Sequence, residues 1–359
     1  MTNSGAGRMR AAIVRHVGAA EVLHIDEVDI PRPRPREVLV RVAACGICYH
    51  DILARDGTLR RNIAVPFIPG HEISGTIAAV GVSVHQFKVG NRVASTNRRH
   101  ICGHCGYCRT GREGACEEKV NLGDGGLNGG YAEYVCVGED SLAKVPDALP
   151  LEDAAISACA IGTQLSAVRL SEIRPGERAL VLGAGGGLGI HGVQLARLAG
   201  AEVIAVTTSP DKAARIQAQG AHHVVVTARA ADFSGEVRSL TGGRGVDVVI
   251  DNVGTPVFAS ARKSLAPFGR WVLVGQVSGE FVSFNPAQLF FRGITILSAK
   301  NATREQLKEV LDLQARRMIS AVTPQRYTLD EAARAHTAVE SGTAFGRVLI
   351  VPGGIGAEA

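Results

Sequence analysis

Between the apolar run "ALVL" and the stretch "GVQLARLAGAEVIAV" the chain places the glycine string Gly183-Ala-Gly185-Gly-Gly187-Leu-Gly189. This order restricts the fold more than any other segment. A strand that must turn sharply, let a polyphosphate approach the backbone and then pack a helix against the sheet needs glycines at those points. Gly183, Gly185, Gly186, Gly187, Leu188 and Gly189 are therefore candidate cofactor contacts, at a helix amino terminus suited to phosphate. The runs "HHVVVT", "GVDVVIDNVG", "RWVLVGQVS" and "ITILSA" continue the alternation of buried strand and helix, which predicts an α/β, doubly wound parallel sheet. Ligands bind beyond the carboxyl ends of such strands, which makes Asn252, Val253, Gly254, Gly275 and Gln276 further candidate contacts of a bound dinucleotide.

The strand "AEVIAV" ends in Thr207-Thr208-Ser209-Pro210 without a carboxylate. An acid at that tip would accept hydrogen bonds from a ribose 2′-hydroxyl and repel a 2′-phosphate. Hydroxyls at Thr207, Thr208 and Ser209, with Lys212 and Arg215 one turn later, favour NADP(H) over NAD(H). Asp211 reads as an acid in the first turn of the next helix.

With 359 residues, two domains are expected. Apolar residues make up 46% and charged residues 20%, the balance of a globular protein rather than a disordered one. A net charge of +5 with scattered arginines argues against a nucleic-acid partner and for a small-molecule one. The polar start "MTNSGAGRMR" lacks a signal-peptide core, and no apolar run is long enough to span a bilayer. A cytoplasmic location is the expectation, with thiols reduced.

Four of the eight cysteines fall in "ICGHCGYCRTGREGAC". Cys102, Cys105, Cys108 and Cys116, spaced by tight-turning glycines, suit one closed tetrahedral zinc that leaves no position for substrate. A disulfide-bonded or redox loop and an iron–sulfur cluster use the same residue type. Chemistry must be sought elsewhere. A catalytic zinc needs three ligands from separated segments and one open position, and the segments "ACGICYHD", "PGHEISG" and "ISACAIG" offer Cys48, His71 and Cys159 as candidates; taken singly, Cys45-x-x-Cys48 also suits a redox pair, His71 a packed or surface residue and Cys159 the core.

Together these segments, in this order, resemble the zinc-dependent alcohol dehydrogenases of the medium-chain dehydrogenase/reductase family, over essentially the whole chain. The resemblance implies that Cys48, His71 and Cys159 hold the catalytic zinc, the second of two per chain. It implies that Glu72 is a carboxylate beside the metal and that Asp51 orients His71. It places Thr163 below the nicotinamide ring and makes Arg347 a cofactor-phosphate contact, where the bland alternative is a solvated surface arginine. Cys45, Cys136 and His191 read as packing residues. Where many relatives carry a proton-relaying Ser or Thr, this chain has His50, and Leu53 stands where a relay histidine often sits; His50 can exchange the proton itself.

The implied architecture is a mainly β, GroES-like catalytic domain, residues 1–160 with a zinc lobe at about 98–118. A Rossmann domain at 161–298 and a return at 299–359 complete it, with the site in the cleft between the domains. The proline run at 32–36 is a stiff connector. The expected activity is hydride transfer between NADP(H) and an alcohol/aldehyde or ketone pair. Two alternatives stand beside it: reduction of an activated C=C bond such as an enoyl thioester, and non-catalytic dinucleotide binding. A homo-oligomer, dimer or tetramer, is expected.

Overall fold

The computed structural model describes residues 7–58, 63–124 and 127–355, so the first six residues of the polar start lie outside it. The chain divides into two compact units, Met1–Gly162 with Asn301–Ala359, and Thr163–Lys300.

The second unit carries six parallel strands in the spatial order His223–Val226, Glu202–Thr207, Arg178–Leu182, Val246–Asp251, Leu265–Leu273 and Thr295–Ser298. Leucine, valine and isoleucine side chains at 180, 182, 204, 206, 225 and 249 are almost fully buried, as expected where helices cover both faces of a parallel sheet. Register sets the site. Leu182 pairs with Val206 and with Asp251, and Asp251 pairs with Leu273. The segments that follow these residues therefore leave the sheet at one edge.

The first unit is built on a seven-stranded, largely antiparallel sheet whose central pair is Glu37–Gly46 with Glu72–Val80. Its core gathers Val38, Val40, Ile73, Ile77, Val135 and Ile350 with Tyr131 and Phe67. The strand Val348–Val351, from the end of the chain, pairs with Cys45 and Gly46 of the first central strand, so the return segment closes the amino-terminal sheet. Among the described residues no helix is long and apolar enough to cross a membrane.

Candidate metal and dinucleotide sites

The central strand ends at Gly46, and the helix Tyr49–Arg55 starts three residues later with Cys48 as its cap. Asp51, in the first turn, accepts the Cys48 amide on Oδ2 at 2.8 Å, the reciprocal capping that starts a helix cleanly. Its Oδ1 lies 3.2 Å from His71 Nδ1 and takes the Gly70 amide at 3.3 Å. Gly70 has φ +98°, and a Cβ there would lie 2.6 Å from Cys45 Sγ and 2.5 Å from the Tyr131 ring. Only glycine fits that turn, which delivers His71 at the foot of the strand Glu72–Val80. Cys159 comes from a buried π-helical turn, Ser157–Ile161.

These segments converge. Ligand atoms of Cys48, His71, Glu72 and Cys159 all lie within 4.8 Å of one another, every residue buried. The Cys48 and Cys159 sulfurs are 4.0 Å apart, close to the ~3.8 Å spanned by two thiolates on one tetrahedral zinc. Neither Glu72 oxygen has a hydrogen-bond partner among the described residues. An ion-pair partner is the Arg347 guanidinium, 3.1 Å from Oε1. The converging sulfurs and histidine, at this spacing, fit a zinc ion. The Cys159 sulfur beside it holds the Cys48 thiol well below its ordinary range, with His71 and Arg347 adding to the effect against burial. Burial pushes the Glu72 carboxyl up to about 7, against the pull of Arg347. The His50 and His71 rings meet edge to face at 5.5 Å, and His50 is half-buried.

Arg347 is not a solvated surface residue. It is buried, donates to the Ile47 carbonyl at 3.0 Å and stands 3.1 Å from Glu72 Oε1. Cys45 and Cys136 are buried packing residues. His191 is buried too, with Nδ1 at 2.8 Å from the Gly187 carbonyl.

In the lobe the four sulfurs also lie within 4.8 Å of one another. Cys102 Sγ is 3.9 Å from Cys108 Sγ and 3.6 Å from Cys116 Sγ, far beyond the ~2.05 Å of a disulfide. All eight cysteines are free. The amides of Cys102, Cys105 and Cys108 point at Cys116, Cys102 and Cys105 sulfurs at 3.3–3.5 Å, donation that favours thiolates and suits a closed zinc.

In the second unit the glycine turn opens at Gly183, φ +66°. A Cβ on Gly189 would lie 2.2 Å from the Gly183 carbonyl oxygen, which makes glycine obligatory where the helix Gly189–Leu198 meets the turn. Gly186 donates to Gly183, and Gly185 lies under the Lys212 stem, 2.8 Å from Cδ to a Cβ placed there. Thr207 turns inward and its hydroxyl accepts the Ser209 amide at 3.2 Å. Thr208 is the exposed member of the pair, and Asp211 sits in the single turn Pro210–Lys212. Asn252 donates to the Leu182 carbonyl at 2.9 Å and accepts from Gln164 at 2.5 Å. Val253 packs on Gly183, and Gly275 is pressed against the Asn252 carbonyl. Gln276 bonds Thr255. Thr163 is buried, and its hydroxyl has no hydrogen-bond partner among the described residues.

Two residues here escaped the sequence reading. Asp251 accepts the Val253 and Gly254 amides at 2.9 Å on one oxygen and Trp271 Nε1 at 3.2 Å on the other, so it shapes the loop after its strand. Gln164 aims Asn252. An acid ending an apolar run, as in "VVID", is the signal that marked the first; Gln164 carries none.

Residues 34–147 match the alcohol dehydrogenase GroES-like domain and residues 187–316 the zinc-binding dehydrogenase family. An acryloyl-coenzyme A reductase of Sulfurisphaera tokodaii is 34% identical over 96% of this chain and 100% of its own. An alcohol dehydrogenase of Geobacillus stearothermophilus is 36% identical over 88% and 91%. The crystal structure of AibC superposes with a TM-score of 0.89 at 40% identity, covering 97% of this chain and 96% of its own. With two family segments and full-length relatives on one architecture, the chain belongs to the zinc-binding alcohol dehydrogenases of the medium-chain dehydrogenase/reductase family.

Proposed function

We propose that this protein transfers hydride between NADP(H) and an alcohol/carbonyl pair. The observation that carries the reading is the buried set Cys48, His71 and Cys159, closed by Asp51 behind the histidine and by a Glu72 carboxylate with no hydrogen-bond partner among the described residues. Zinc bound there would supply Lewis acidity towards a substrate oxygen, and the nicotinamide would give or take the hydride. The chain's own residues do the rest. Asp51 holds the proton on His71 Nδ1 and leaves Nε2 as the donor atom. Arg347 offsets the charge of Glu72 and the thiolates in a buried space. His50, beside His71, exchanges the proton that balances the hydride: aldehyde, NADPH and H⁺ become alcohol and NADP⁺. The cysteine lobe holds a second, structural zinc.

NADP(H) is the preferred cofactor on this reading. Thr208 and Ser209 offer hydroxyls at the strand tip, and Lys212 lies across the glycine turn. Gly183 to Gly189 take the pyrophosphate, while Thr163, Asn252, Val253, Gly275 and Gln276 frame the nicotinamide.

A second reading, reduction of the C=C bond of an enoyl thioester, is favoured by the acryloyl-coenzyme A reductase among the relatives and by His50 in place of a hydroxyl. The proton would then go to carbon. Oligomerisation, as a dimer or tetramer, is inferred from the edge strand Thr295–Ser298 and from Phe281, Phe290 and Phe291, exposed to 100%, 64% and 81%. The cytoplasmic location rests on reduced, metal-type cysteine usage.

The test is oxidation of NADPH and NADH with aliphatic and aromatic aldehydes beside 2-enoyl thioesters, with and without a chelator. Aldehyde turnover lost on chelation supports the first reading. Thioester turnover alone transfers the proposal to the second. Neither, in zinc-loaded protein, leaves a dinucleotide-binding protein.

A further inference from the structure

The cysteine lobe and the Cys48/His71/Cys159 cluster belong to the same unit, and a single helix of the return segment reaches both. The helix Arg304–Ala315 begins against the lobe. Glu113, between Cys108 and Cys116, is buried and its Oε1 accepts the Arg304 amide. The same oxygen takes Arg98 Nη2 at 3.3 Å, and that nitrogen also donates to the Ala302 carbonyl at 2.8 Å. Arg98 is 1% exposed, so its charge depends on Glu113, and a first-turn amide of a twelve-residue helix is satisfied by a lobe carboxylate.

The other end of the helix holds the turn that carries Cys159. Ser157 Oγ donates to Gln314 Oε1 at 2.5 Å, and Gln314 Nε2 donates to the Asp153 carbonyl at 3.3 Å. Leu307 and Leu311 pack with Ala154 and Ala158. Beyond the turn, a Cβ on Gly162 would lie 2.6 Å from the Ala302 methyl. Both flanks of Ser157–Ile161 thus rest on residues 302–314. A π-turn is a rare, single-turn interruption of helical geometry that is frequently found at functional sites.

We propose that the lobe is the anchor that positions Cys159, acting through Glu113, the Arg304–Ala315 helix and Gln314. Glu113 and Gln314 are positioning residues: neither touches a reacting atom. A shift of the helix along its axis breaks the Ser157–Gln314 bond and releases the turn. The proposal rests on the reading of Cys48, His71 and Cys159 as metal ligands.

The experiment follows zinc release from the full-length, zinc-loaded protein to a chromogenic chelator, a readout independent of turnover. Wild type is expected to release two ions in separate phases, assigned with Cys159→Ser and Cys105→Ser. Gln314→Leu, far from the lobe, is expected to speed only the phase missing in Cys159→Ser, by about tenfold or more, the scale of losing an outer partner of a metal site. Glu113→Ala is expected to speed the same phase, and Glu113→Gln, which keeps an acceptor for the Arg304 amide, to restore much of the wild-type rate. Should Glu113→Ala fail to fold, the Cys159-dependent phase in Cys105→Ser is read in its place, and a wild-type rate there overturns the anchor. Wild-type release of both ions from Gln314→Leu overturns the link. A wild type that binds only the lobe ion overturns the ligand reading beneath it.

Discussion

Asp51 stands behind His71, with Oδ1 3.2 Å from His71 Nδ1, while its other oxygen caps the helix that starts at Cys48. One carboxylate therefore orients two of the three candidate ligands, Cys48 and His71, drawn from separate segments. Asp51→Asn keeps the shape but loses the charge, and its amide group can oppose the Nδ1–H tautomer. We expect zinc affinity at this site to fall about 10- to 100-fold, measured by competition with a chelator of known affinity. Unchanged affinity would remove Asp51 from the site.

His50→Ala is expected to slow the chemical step by about 10- to 1000-fold and to alter the pH profile of kcat, with the lobe and fold intact by circular dichroism. The measurement is single-turnover kinetics across pH 5–9. If rate and profile stay put, water or another group carries the proton.

Thr207→Asp places a carboxylate at the strand tip while keeping an acceptor for the Ser209 amide, the partner of the Thr207 hydroxyl. It should move the ratio of kcat/KM from NADPH towards NADH by at least about tenfold, and Lys212→Ala should move it the same way. A wild type that prefers NADH, or a ratio that neither change moves, refutes the NADP assignment.

His336 is buried between Tyr131, whose hydroxyl lies 2.9 Å from Nε2, and Arg55, 3.5 Å from Nδ1. Burial holds it down to about 4, with Arg55 acting in the same direction and Asp51 against it. A folded pKa below the unfolded one means that the unfolded chain takes up the proton first. Stability is therefore full above pH 6.5 and declines as pH falls towards 4. Between pH 7.5 and 5.5 this histidine should cost about 1.4 kcal/mol, read from urea unfolding. His336→Gln should flatten the slope by that amount, and an unaltered slope would count against the assignment.

Much of both candidate sites was legible in the sequence because the constraint is local. Lobe cysteines close on one another within fifteen residues, and the glycines at 183 and 189 answer a turn made by their own backbone. Largely apolar runs marked the strands of the parallel sheet, since such runs are buried on both faces, while the spatial order of those strands came from the fold. Cys48, His71 and Cys159 were nameable for a different reason: each is a weak signal alone, and only the joint order of motifs, through the family resemblance, singled them out.

Tertiary structure decided what depends on pairs far apart along the chain. Arg347 bonds a carbonyl 300 positions away, and nothing in "FGRVLI" distinguishes a buried counter-ion of Glu72 from a solvated arginine. The Glu113 contact with the Arg304 amide spans 191 positions and the Ser157–Gln314 bond 157. Such contacts have no periodicity, and a lone polar side chain carries no mark of the partner that will satisfy it. Sequence determines which groups must find partners when buried; only the packed fold decides which partner each one finds.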